Sequence, residues 1–172
     1  MALKLSQNIV VFQKPFDWAH VSNTFTQKVD VKPEGIWYAC GREWINYLES
    51  ESPEDTISHV YELTLDKSYF LILNTNEKIL NFNKQYGLTK YLGVGKDSDS
   101  FKFVDWPFVK MQGYKGIEIC PYARKLRNDN RVEWYYPWDV ASGCFWDSSV
   151  IKSIKEIPKE IWMEEVYDDD LP

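Results

Sequence analysis

Hydrophobic and polar residues switch between two periods along this chain, and the switches predict its elements. Asn8–Gln13 (NIVVFQ) is a short apolar run that reads as a first strand, ended by Pro15. Lys32-Pro33-Glu34-Gly35 punctuates the chain just before Gly35–Ala39 (GIWYA), a second strand. From Arg42 to Leu48 the pattern turns helical, with Trp44, Tyr47 and Leu48 at i, i+3 and i+4. Glu49–Asp55, with Pro53, ends that helix. His59–Leu65 (HVYELTL) alternates as a half-buried strand does, and the tight Asp66-Lys67-Ser68 connection joins it to Tyr69–Leu73 (YFLIL) as a hairpin.

Further along, Asn74–Tyr86 predicts a helix capped by Asn74 or Thr75, with Ile79, Leu80 and Phe82 on its apolar side. Gly87–Ser100 reads as a surface loop. Trp106–Gln112 predicts a short helix opened by Asp105, and Lys115–Cys120 a strand stopped by Pro121. Glu133–Tyr136, Ser142–Trp146 and Val150–Ile157 are further extended segments. Strands that follow one another through short connections, with about three helices among them, predict an α+β fold. Its sheet would be mixed, mostly antiparallel, with six or seven strands. At 172 residues the chain has the length of one domain, and Glu164–Asp170 lies in an acidic C-terminal tail.

Composition changes this picture in three ways. The 8 Trp, 11 Tyr and 9 Phe exceed ordinary usage, so rings build the core and also stand available to line a cleft for a flat ligand or a sugar. The net charge of −6, without a basic block, disfavours non-specific binding to a phosphate backbone. Cys40, Cys120 and Cys144 are widely spaced, and Met1–Gln13 has no signal-peptide pattern; the expectation is a cytoplasmic protein with three free thiols. No apolar run is long enough for a membrane span, and two His without a Cys pair at zinc spacing argue against a structural metal site.

Two segments carry candidate chemistry. In Lys32–Leu48, strand alternation puts Trp37 and Ala39 on one face and Ile36 and Tyr38 on the other. The turn after the strand then delivers Trp44 and Tyr47 near its end. Such a strand-turn-helix can hold a flat ring between aromatics, or simply pack a core. In Trp134–Asp147 (WYYPWDVASGCFWD), Asp139 stands among large rings on a predicted loop, with Ser142, Cys144 and Asp147 close in sequence. A partly desolvated carboxylate suits acid–base work, although Asp139 capping a turn is the structural alternative. Cys144 has no sequence pattern tying it to His20 or His59 and reads as a buried cysteine. Glu118 reads as the solvent-facing position of its strand.

The order Gly-Ile-aromatic-aromatic-Ala, a short turn and an aromatic-bearing helix resembles the second active-site motif of the ADP-ribosyltransferases. The resemblance covers about seventeen residues, Lys32–Leu48, and extends beyond them only as a similar order of elements. It implies NAD as substrate, with Gly35, Trp37, Tyr38, Trp44 and Tyr47 around the nicotinamide. Trp37 falls where the family's strand tyrosine would be, and Tyr47 within a residue of its helical tyrosine. ADP-ribose would pass to a macromolecular acceptor or to water. Two positions depart from the family. The first strand carries no His or Arg, so His20 would have to substitute. Ser142 or Gly143 falls where a late-strand glutamate is usual, which leaves Asp139 and Ser142 as the candidate catalytic residues. The alternatives are a non-catalytic domain whose aromatic-rich surface engages a protein or sugar, and a cysteine hydrolase.

Overall fold

The computed structural model describes residues 3–52, 57–89 and 101–163. The strands are β1 Asn8–Phe12, β2 Val29–Asp30, β3 Ile36–Cys40, β4 His59–Leu65, β5 Phe70–Ile72, β6 Gly87–Leu88, β7 Phe103–Asp105, β8 Gly116–Ile119, β9 Ser142–Phe145 and β10 Ile151–Glu156. The α-helices are α1 Glu43–Glu51, α2 Asn76–Tyr86, α3 Trp106–Met111 and α4 Lys159–Trp162. The acidic tail and most of the Gly87–Ser100 segment lie outside the described residues.

The fold is α+β, built on a seven-stranded sheet of order β10-β4-β1-β3-β9-β8-β5, with a small sheet β2-β7-β6 beside it. The large sheet is mixed, because β5 runs parallel to β8 while its other pairings are antiparallel. The expected hairpin between β4 and β5 does not form. These strands are consecutive in sequence yet stand second and seventh in the sheet. In a flat sheet they would lie about 24 Å apart, whereas the chain from Leu65 to Phe70 spans at most about 18 Å. The sheet must therefore curl until its edges approach.

Curling gives the sheet two buried faces. Val10, Ile36, Tyr38, Leu63, Phe70 and Phe145 cluster on the inner one. On the outer face, Ile9 and Val60 pack with Ile45 of α1 and Trp162 of α4. Ile117, Ile119 and Cys144 pack on that face against α2, α3 and the segment Asn130–Tyr135. Trp106, Trp134, Trp138 and Trp146 are almost wholly buried, so much of the aromatic excess is core. Each such ring contributes about 4–6 kcal/mol of transfer free energy, as an upper bound.

Capping follows the side-chain chemistry. Thr75 accepts from the Lys78 amide at the start of α2, and Asp105 accepts from Phe108 at the start of α3. Glu133–Tyr136 is not extended. Glu133–Tyr135 lies in a 3₁₀ segment, Asn130–Tyr135, that is kinked at Val132, opened by Asp129 accepting from the Arg131 amide and ended by Tyr136. The buried trio Val132, Trp134 and Tyr135 supplied a strand-like composition without a strand's backbone. The start of the expected surface loop is a strand, since Gly87–Leu88 pairs with β7.

Candidate functional site

A fork between β1 and β3 opens a cleft. Their ladder has two rungs, Asn8↔Cys40 and Ile9↔Ala39. β1 continues alone against β4 as far as Phe12, and β3 lies against β9 from Ile36 onward. Peptide groups alternate sides along a strand. Gly41 N–H donates to Gln7 O at 2.8 Å, while Cys40 N–H donates to Ala141 O at 2.9 Å. By that alternation Val11 and Trp37 turn their peptide edges toward each other across the fork, beyond the last rung.

A cavity of about 570 Å³ occupies the fork, within the usual range for a small-molecule site. Ile9–Phe12 and Phe16 line one side, and Gly35–Ala39 the other. Phe25, Lys32, Trp44, Trp138, Asp139 and Ser142 complete it. Two segments remote in sequence thus meet: Gly35, Trp37, Tyr38 and Trp44 share one cleft with Asp139 and Ser142. Tyr47 does not line it. Three residues beyond Trp44, it is rotated about 60° round the helix and set one turn further on, with its ring 5.6 Å from the Trp44 ring.

Local chemistry fixes the β3 side. Gln27 acts as a peptide surrogate: its Nε2 donates to Glu34 O at 2.7 Å, and its Oε1 accepts from the Glu34 amide at 3.1 Å. This clamp holds the turn that carries Lys32 and Gly35. A Cβ on Gly35 would sit 2.3 Å from Phe145 O, so only glycine lets the strand start this close to β9. Trp37 is half-buried, edge-on to Trp138 with centroids 4.9 Å apart. Above its ring, 5.2 Å from the centroid, lies the Lys32 ammonium. Burial holds the Lys32 pKa below the ordinary lysine value, partly offset by the charge of Asp139.

Tyr38 occupies the inner face, as alternation predicts, and contributes to the cleft from below. Its hydroxyl donates to Glu118 Oε2 at 2.7 Å. Lys67 Nζ meets the same oxygen at 2.5 Å and Asn8 Oδ1 at 2.8 Å. Burial, reinforced by the Glu118 charge, drives the Tyr38 pKa well above the ordinary phenol value, so the hydroxyl stays protonated. Glu118 is therefore not solvent-facing: only 12% of its side chain is exposed. The curl has turned the expected outer face of β8 into an interior.

Asp139 stands on the loop before β9, 3.4 Å from Arg127 Nη2, with its side chain 26% exposed. Among the described residues its carboxylate accepts no backbone N–H. Ser142 is buried, and its hydroxyl donates to Val140 O at 3.0 Å, which leaves its lone pairs as acceptors. Gly143, the other residue aligned with the family glutamate, faces Tyr38; a Cβ there would lie 2.4 Å from the phenol. Cys144 is fully buried, and burial pushes its thiol pKa well up, the opposite of a nucleophile's setting. All three cysteines are free. The side chain of His20 lies outside the described residues.

Lys32, Phe16, Phe25 and Trp138 were not singled out as site residues by sequence reasoning. Lys32 had a usable signal, a lysine at the start of the Lys32–Leu48 segment, three residues before Gly35. The other three reach the cleft only through the fork. No family model matches the chain, no curated protein matches it, and no solved structure matches it. Among the described residues, no helix is long and apolar enough to cross a membrane.

Proposed function

We propose that the fork cleft binds NAD and that the chain is an ADP-ribosyltransferase-like domain. One observation carries this reading. The strand-helix motif and the Asp139 loop, far apart in sequence, line a single concave slot rich in rings, with a carboxylate beside it. In this reading nicotinamide lies between Trp37 and Trp44. Its carboxamide is a planar donor and acceptor, and the peptide edge of Trp37 beyond the last rung offers the complement. Breaking the glycosidic bond sends the electron pair out with nicotinamide and leaves positive charge on the ribose. Asp139 stabilises that charge and takes the proton of the acceptor hydroxyl as it bonds to the ribose carbon. Ser142 accepts a hydrogen bond from a ribose hydroxyl.

A second reading, binding without turnover, rests on Ser142 at the position where the resemblance would put a glutamate. Incubation with NAD and quantification of free nicotinamide separates the two. The catalytic reading expects release by the wild type. With Asp139→Asn, it expects NAD affinity within about threefold but turnover at least about tenfold lower, because the carboxylate acts mainly on developing charge. Tight binding with no nicotinamide released would leave the non-catalytic reading standing.

A further inference from the structure

Lys32 has a setting that the protein alone does not complete. Its neighbour Lys28 pairs with Asp30 at 3.4 Å and Glu34 at 3.1 Å. Among the described residues, no carboxylate lies within ion-pair distance of Lys32. Asp139 acts on it only as a more distant charge, and the nearest defined partner of its ammonium is the Trp37 ring. The side chain is half-buried, lines the cleft and has lost part of its hydration. A cation in that position has given up water without gaining an anion.

We infer that Lys32 is the anion seat of the cleft and that the ligand carries a phosphate or diphosphate group, which makes anionic nucleotides its substrate class. This rests on the NAD reading and deepens it. The geometry implies an exchange of partners. A ring stacking on Trp37 needs the space above the indole where the ammonium now lies. Displaced from that face, the ammonium moves along the cleft to the diphosphate of the same ligand. The cation–π contact is the weaker of the two interactions, so the exchange is favourable. Asp139 pairs with Arg127, 3.4 Å away, rather than with the lysine.

The test is calorimetric titration of the wild type, Lys32→Ala and Lys32→Arg with ADP-ribose, nicotinamide and inorganic pyrophosphate. Denaturation curves serve as the folding control. Loss of one charge-assisted hydrogen bond should weaken ADP-ribose binding by about 10- to 100-fold in Lys32→Ala. Lys32→Arg should recover most of that loss, and nicotinamide, which carries no phosphate and needs the indole face that the ammonium covers, should bind Lys32→Ala at least as tightly as the wild type. ADP-ribose affinity unchanged in Lys32→Ala would overturn the anion seat while leaving the NAD reading intact. So would a wild type that binds nicotinamide but not ADP-ribose. Pyrophosphate bound by the wild type and lost in Lys32→Ala, with no nucleotide bound, would sustain the seat and sink the NAD reading. If the wild type binds neither pyrophosphate nor ADP-ribose, the seat is refuted.

Discussion

Trp37→Ala separates a ring held for ligand from a ring held for packing. A fully buried tryptophan cut to alanine costs about 3–5 kcal/mol. Trp37 is partly buried, so a somewhat smaller loss applies, and its edge-on contact with Trp138 at 4.9 Å falls within the same sum. The expected loss is therefore about 2–4 kcal/mol, readable as a shifted urea midpoint with an unchanged slope. Stacking of a base or nicotinamide on the ring is worth about 1–3 kcal/mol, a five- to 150-fold change in affinity. Calorimetric titration with NAD, at a temperature where both proteins are folded, reads that term by itself. Trp138→Ala supplies the internal reference, since that ring is 1% exposed and should cost the full 3–5 kcal/mol. Trp37→Phe should keep most of the affinity because a flat face remains. If Trp37→Ala destabilises as much as Trp138→Ala and the folded mutant binds NAD normally, Trp37 is core and the argument fails.

Two further outcomes follow from groups outside the cleft. Cys120 is partly exposed while Cys40 and Cys144 are buried, and the neighbouring Cys40 thiol holds the Cys120 pKa below the usual thiol range. One fast thiol should therefore titrate in the native protein and three after unfolding; fast native reaction persisting in Cys120→Ser would contradict this. Asp147 is held below the usual carboxylate range although burial opposes it, through the Ser149 hydrogen bonds and Lys115 at 3.3 Å. A depressed carboxylate stabilises the fold above its unfolded pKa of about 3.9, and that contribution is lost as pH falls through the lower folded value. Asp147→Asn should cost about 1 kcal/mol at pH 7 and progressively less below about pH 4. A penalty that does not vary with pH would mean the ionised carboxylate contributes nothing.

Sequence periodicity located much of this molecule because it reports local geometry. Alternation in Gly35–Ala39 separates Trp37 from Tyr38, and the two do face opposite sides of β3. Helical spacing after Arg42 delivers Trp44 to the strand's end. Asp139 was legible as a loop carboxylate among rings, although nothing local could show that its loop returns to β3. Two of the failures share one cause, the curl of the sheet. Glu118 looks solvent-facing only if a sheet has one wet face, and β4 with β5 looks like a hairpin only if consecutive strands pair. β2, β6 and β7 have two or three residues each, too few to show any period. Tyr47 was grouped with Trp44 because i+3 spacing puts both on one broad side of α1. The cleft admits only the nearer ring.

The position of β9 has a consequence for synthesis. It is the strand that joins β3 to β8, and it lies late in the chain. While only residues before Ser142 have emerged from the ribosome, β3 and β8 have no common neighbour and each presents an open edge. Such edges invite pairing between chains. Over that interval the aromatic half of the cleft exists in sequence, but the strand that anchors its other half does not. Assembly of the site is thus a late event, and a nascent or truncated chain would be exposed to aggregation well before its cleft was complete.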